Sequence, residues 1–142
     1  MMDARTSHRT RQSLTCIRIA VATVMIIHGV YRATQEGFVA GFGGFLESQG
    51  LPFGVAVAGA ITAWEIIGGV LLALGRWTRL LAIGFAVELG GGLLMVHARE
   101  GWFVVGGGRN GMEFAAILIV IMLAIAWDGH SASGRGIRLG NR

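Results

Sequence analysis

Residues 53–74 form an apolar run of 22 residues whose only charge is Glu65. As a helix the run spans roughly 33 Å at ~1.5 Å per residue, enough to cross a hydrocarbon core of about 30 Å. A lone carboxylate near the middle of such a helix costs on the order of 2.5–3.5 kcal/mol among acyl chains, so it has to face protein and meet a partner or a proton. The rest of the chain is read as the neighbours of that helix.

Three further runs have the same character, at 14–31, 80–96 and 111–127. The expected fold is therefore all-α: an integral membrane four-helix bundle with polar tails at 1–13 and 128–142. The first run has a basic start and an apolar centre, as a secretory signal has. No small-x-small cleavage site follows at Tyr31-Arg32-Ala33, so it is read as a span. Composition agrees, since only 14% of the 142 residues are charged, against about 25% in soluble domains. The 24 glycines suit close helix packing in lipid.

Between the first two spans, Phe38, Phe42, Phe45 and Leu46 recur on one helical face. A short amphipathic segment is expected there, weakened by Gly37, Gly41, Gly43 and Gly44. Gly50-Leu51-Pro52 ends it, and Gly75–Arg79 makes a tight turn between spans two and three. Nine of the twelve arginines fall in the tails, near Arg18 and in the 75–79 turn, leaving Arg32, Arg99 and Arg109 on the other side. By the positive-inside rule both termini are cytoplasmic. The basic residues form no stripe interleaved with aromatics, so nucleic acid is not an expected partner. The expected surroundings are the lipid bilayer and either further copies of this chain or the other subunits of a membrane redox complex.

Cys16 is the single cysteine, which excludes an internal disulfide, a Cys-x-x-Cys pair and a thiolate metal site; no metal is expected. Gly106-Gly107-Gly108-Arg109-Asn110-Gly111 fits G-x-G-x-x-G by letter but lacks the strand–turn–helix context of a dinucleotide site. The topology places His28, Arg32, His97, Arg109 and Glu113 near the outer ends of the spans, with Glu65 and Glu88 deeper. If these faces converge they line one polar pocket. Glu65 and His28 are its candidate catalytic groups, handling protons. His28, Arg32, His97 and Glu113 are its candidate cofactor-binding groups. A quinone head group is the expected occupant, with haem b between His28 and His97 as the alternative set aside. Each residue also has a plainer role. Glu65 can tie helices together, Arg32 and Arg109 can reach to the interface, and Asn110 with Glu113 can cap the last span.

Several of these features, in this order and spacing, resemble the DoxX family. They are His28-Gly29-Val30-Tyr31-Arg32, Gly50-Leu51-Pro52, Glu65 with Gly68-Gly69, and Leu74-Gly75-Arg76-Trp77-Thr78-Arg79. His97 with Gly101-Trp102-Phe103, and Asn110-Gly111-Met112-Glu113, complete the pattern. The resemblance runs from about residue 18 to 129. It departs at Arg32, where the family commonly has Lys, and in the tail, where a usual Ser-Leu-Asp is absent. It implies a small multi-pass protein of the bacterial inner membrane. Some relatives are subunits of thiosulfate:quinone oxidoreductase or accompany terminal quinol oxidases, and others belong to thiol-redox complexes. The residues leave two rival readings open, a proton-coupled small-solute transporter and a non-catalytic membrane anchor of a redox complex.

Overall fold

The computed structural model describes residues 4–105 and 109–133, with side chains for 8–105 and 109–128. All regular structure among them is helical: α1 (Ala4–Thr34), α2 (Phe38–Ser48), α3 (Gly54–Ala73), α4 (Thr78–Met95), one 3-10 turn (His97–Arg99) and α5 (Glu113–Ser133). The expected count of four helices is thus corrected to five, because the amphipathic segment closes into a helix of its own. Among the described residues, three stretches are long and apolar enough to cross a membrane, His8–Thr34, Gly54–Ala73 and Thr78–Arg99. Residues 4–13, expected as an irregular tail, are the start of α1. No Gly or Pro lies between Ala4 and His28, so nothing stops the helix from continuing upstream. The expected C-terminal tail is helical as far as Ser133. Gly106, Gly107, Gly108 and residues 134–142 lie outside the described residues.

Two glycines end helices in the same way. At the end of α2, Gly50 takes φ 90°, its N–H donates to the Glu47 carbonyl and the Leu51 N–H to that of Leu46. At the end of α3, Gly75 takes φ 74°, with Gly75 N–H to Leu72 and Arg76 N–H to Leu71. Both are Schellman closures, which satisfy the last carbonyls through a left-handed residue that glycine adopts without strain. The residues before α3 and α4 are left-handed as well, but they are Phe53 (φ 60°) and Trp77 (φ 48°), and they are 80% and 66% exposed.

The chain divides into two compact units, Ile19–Arg76 and the set Met1–Arg18 with Trp77–Arg142. In the first unit α1 and α3 run antiparallel at close range. A Cβ on Gly29 would lie 2.8 Å from Ile66 and 2.9 Å from Glu65, and one on Gly69 would lie 2.6 Å from Ile26. Small residues at these places let the backbones approach, the usual device where lipid gives no hydrophobic push between helices. Helices α2 and α3 form the second contact. Gly43 faces Val55, Gly54 faces the Gly43 carbonyl, and Glu47 Oε1 accepts the Gly54 N–H at 3.0 Å. That bond places a carboxylate on the first turn of α3, where free amide donors favour negative charge. The packed stripe of α2 is Val39, Phe42, Gly43 and Leu46, whereas Phe38 is exposed, with its ring edge-on to Tyr31 at 5.5 Å. The glycines expected to weaken this helix include the one that makes its packing possible.

In the second unit α4 packs on α5. The buried positions of α5 are Ala115, Leu118, Met122, Ile125 and Ala126, one face of a 3.6-residue period. Its other face shows Phe114, Ile117, Val120 and Leu123 half exposed or more. The exposed face of α5 is thus apolar like the buried one.

Candidate functional site

Glu65 is 4% exposed, and its counter-charge is Arg32. Arg32 Nη1 donates to Glu65 Oε2 at 2.6 Å, and Nη2 donates to Oε1 at 3.2 Å. Two parallel N–H···O bonds make a fork that a lysine could not reproduce. The sequence offers this geometry because Gly29 lies about one turn before Arg32 and lets α1 settle on α3 at the level of Thr62 and Glu65. The guanidinium then reaches the carboxylate within its own unit.

Two further groups hold the guanidinium. Nη1 also donates to Thr62 Oγ1 at 3.2 Å, and the Thr62 hydroxyl donates to the Ala58 carbonyl at 2.7 Å. The threonine proton is therefore committed to its own helix, which leaves its oxygen as an acceptor for Arg32. On one face, the Phe42 ring of α2 lies 4.6 Å from the guanidinium carbon, close enough for a cation–π contact. Three helices thus converge on one ion pair, whose side chains are 18% (Arg32) and 5% (Glu65) exposed. Among the described residues the guanidinium has three donated bonds, two to Glu65 and one to Thr62. A guanidinium has five N–H donors, so Nε–H and one Nη2–H make no bond among the described residues.

The other sequence candidates make contacts of their own. His28 is exposed, one turn before Arg32, and its Nδ1 donates to the Val24 carbonyl at 2.9 Å. A carbonyl can only accept, so Nδ1 carries the proton and Nε2 is the open ring position. His97, Glu113, Arg109 and Glu88 belong to the other unit. His97 Nδ1 donates to the Asn110 carbonyl at 2.6 Å, and Glu113 Oε1 accepts the Val104 N–H at 3.0 Å. The expected cap of Asn110 on Glu113 is corrected. Asn110 is left-handed at φ 60° and lies before the helix, which begins at Glu113 itself. The Glu113 carboxylate serves the preceding loop instead. No group of three or more His, Cys, Asp or Glu side chains among the described residues is placed to hold a metal. Sequence reasoning missed Thr62 and Phe42. Thr62 had a visible signal, a hydroxyl one turn before Glu65, but Phe42 had none beyond its helical period.

The fold and this pair define a class, a multi-pass helical membrane protein that buries an ion pair between apolar helices. A family model for DoxX matches residues 13–98, and the chain belongs to the DoxX family. It is 30% identical over 114 residues, 80% of this chain and 76% of the relative, to CatD of Bacillus subtilis (strain 168), a protein named provisionally as an oxidoreductase. No solved structure matches the chain. The matched family region holds His28, Arg32, Glu65 and His97, whereas Glu113 lies beyond it.

Proposed function

We propose that this protein is the membrane subunit of a quinone-linked oxidoreductase and that the Arg32–Glu65 pair forms one wall of the quinone site. The observation that carries the reading is the bidentate pair itself. It fixes a partly exposed guanidinium among apolar helices, with two of its five N–H donors making no bond among the described residues. Donors preorganised in a low-dielectric site stabilise negative charge as it develops on a carbonyl oxygen during reduction. His28, with Nδ1 held by the backbone, presents Nε2 for proton exchange with the reduced ring. The electrons come from a partner protein, since the single Cys16 cannot cycle as a dithiol. The provisional name of CatD, a relative 30% identical, agrees with the redox class.

This reading carries the finer topology with it. The fourth span is α5, whose 21 residues reach roughly 31 Å at ~1.5 Å per residue. Both termini are cytoplasmic by the arginine count, the membrane is the bacterial inner membrane, and the functional form is an oligomer or a larger complex. The transporter reading loses ground, because a carboxylate already held by a fixed guanidinium is poorly suited to alternate between a proton and a cationic solute.

The test uses the full chain in nanodiscs with a short-chain quinone analogue, and turnover in the intact complex. Arg32→Lys keeps the charge and loses the fork. It is expected to weaken quinone binding about tenfold, the size of one lost charged hydrogen bond at ~1.5 kcal/mol. Glu65→Gln should lower both binding and turnover. Unchanged quinone binding and turnover in both variants would leave the chain as a non-catalytic anchor.

A further inference from the structure

We propose that the loop between α4 and α5 is a lipid-interface anchor, in which Trp102, Phe103 and Val105 enter the headgroup–acyl boundary and Glu113 and His97 hold the loop in shape. The inference stands apart from the quinone reading and rests on a different unit.

Position comes first. The membrane-competent stretch containing α4 ends at Arg99, so Trp102 and Phe103 follow within three or four residues, at the level where a crossing helix leaves the hydrocarbon. Trp102 and Phe103 are each 53% exposed and Val105 is 79% exposed, an apolar trio that the described residues of the loop leave uncovered. Arg99 and Arg109, exposed at either end of the loop, match the phosphates of that layer in charge. Aromatic rings with basic neighbours are the composition that bilayer interfaces select.

The backbone supplies the second argument. A loop bathed in water needs no internal partners, whereas one entering a low-dielectric layer must have its polar groups satisfied. Here the Gly101 carbonyl accepts from Met112 N–H and the Trp102 carbonyl from Glu113 N–H, both at 3.0 Å. The Val104 N–H donates to the Glu113 carboxylate, and the Asn110 carbonyl accepts from His97. Gly111 permits this closure, since a Cβ there would run into the carbonyls of Trp102 and Phe103. The His97 and Glu113 side chains therefore turn to the loop backbone, while Trp102, Phe103 and Val105 stay exposed. The occupant that fits such a face is the phospholipid boundary continuous with the lipid-facing side of α4.

The experiment compares tryptophan emission of the full chain with that of Trp102→Phe, in phosphatidylethanolamine–phosphatidylglycerol vesicles. Nitroxide-labelled lipids carry the quencher at the headgroup, near the top of the acyl chain, or deep in it. The difference signal belongs to Trp102, and it should be quenched by the two shallow labels more than by the deep one. In Glu113→Ala that component should move toward quenching by aqueous acrylamide. Glu113→Gln, which keeps an oxygen acceptor for Val104 N–H, should behave as the parent chain does. A Trp102 signal open to acrylamide but untouched by the shallow labels overturns the proposal, as does one reached by neither quencher. Either result needs only the parent chain and Trp102→Phe, so the proposal can fail even where Glu113→Ala does not fold.

Discussion

Arg32→Ala is expected to lower the unfolding free energy by about 3–5 kcal/mol, the usual cost of stranding one partner of a buried ion pair. Glu65 is what makes the loss large. At 5% side-chain exposure it has no solvent to replace the guanidinium, and insertion scales independently put an uncompensated central carboxylate at ~2.5–3.5 kcal/mol. The two figures meet near ~3 kcal/mol. Neutral hydrogen bonds between membrane helices are worth only ~0.6–2 kcal/mol, so the size of the loss separates an ion pair from a neutral contact. Replacing both residues, Arg32→Met with Glu65→Met, removes the charge and its counter-charge together and should recover most of the stability. Thermal unfolding in detergent checks both variants. The double variant also separates fold from function. It should be stable and fail to bind quinone, and a stable double variant with full turnover would sink the proposed role of the pair.

Gly54→Ala should be the most damaging of the conservative changes at glycine. The added Cβ would fall on the Gly43 carbonyl and lie 2.6 Å from Glu47 Cγ. The first of these is backbone, which cannot rotate away, so α2 and α3 must separate. Overpacking of this kind costs about 1–3 kcal/mol. It should also lift Phe42 from the guanidinium and break the Glu47 bond to the Gly54 amide. Gly90→Ala is the control, because nothing lies within 4 Å of a Cβ there. Helix propensity alone then favours alanine by ~1 kcal/mol. Unfolding midpoints of the two variants should move in opposite directions. A Gly54→Ala protein as stable as its parent would mean that the two helices are not in backbone contact.

Hydropathy makes the helices legible, because a run such as 53–74 has no alternative way to satisfy its backbone in lipid. It also marks Glu65 as a residue in need of a partner. The identity of that partner is not legible. Depth alone leaves Arg32, His28, His97 and Arg109 all open, and between the two on α1 the choice depends on how α1 is rotated against α3. That rotation is set by Gly29 and Gly69, whose role emerges only when a neighbour's atoms occupy the space a side chain would need. The amphipathic period at Phe38, Phe42 and Leu46 is visible, yet its packed stripe includes Gly43, which a hydrophobicity pattern ignores. The spacing of Asn110 and Glu113 fits a helix cap that the chain does not make. A left-handed Asn110 and a loop returning past Trp102 cannot be inferred from spacing.

Phe53 and Trp77 have a consequence for how the protein responds to its membrane. Each holds a left-handed backbone that costs a non-glycine residue roughly 1–2 kcal/mol, at a place where glycine would be unstrained and the side chain is mostly uncovered. On helices that cross a bilayer, rings so placed would meet its boundary and resist sliding of α3 and α4 along the membrane normal. The membrane-competent stretch that begins with α4, Thr78–Arg99, has 22 residues, roughly 33 Å at ~1.5 Å per residue against a hydrocarbon core of about 30 Å. In a bilayer of another thickness the mismatch would then fall on lipid deformation or helix tilt rather than on a shift of the helix ends.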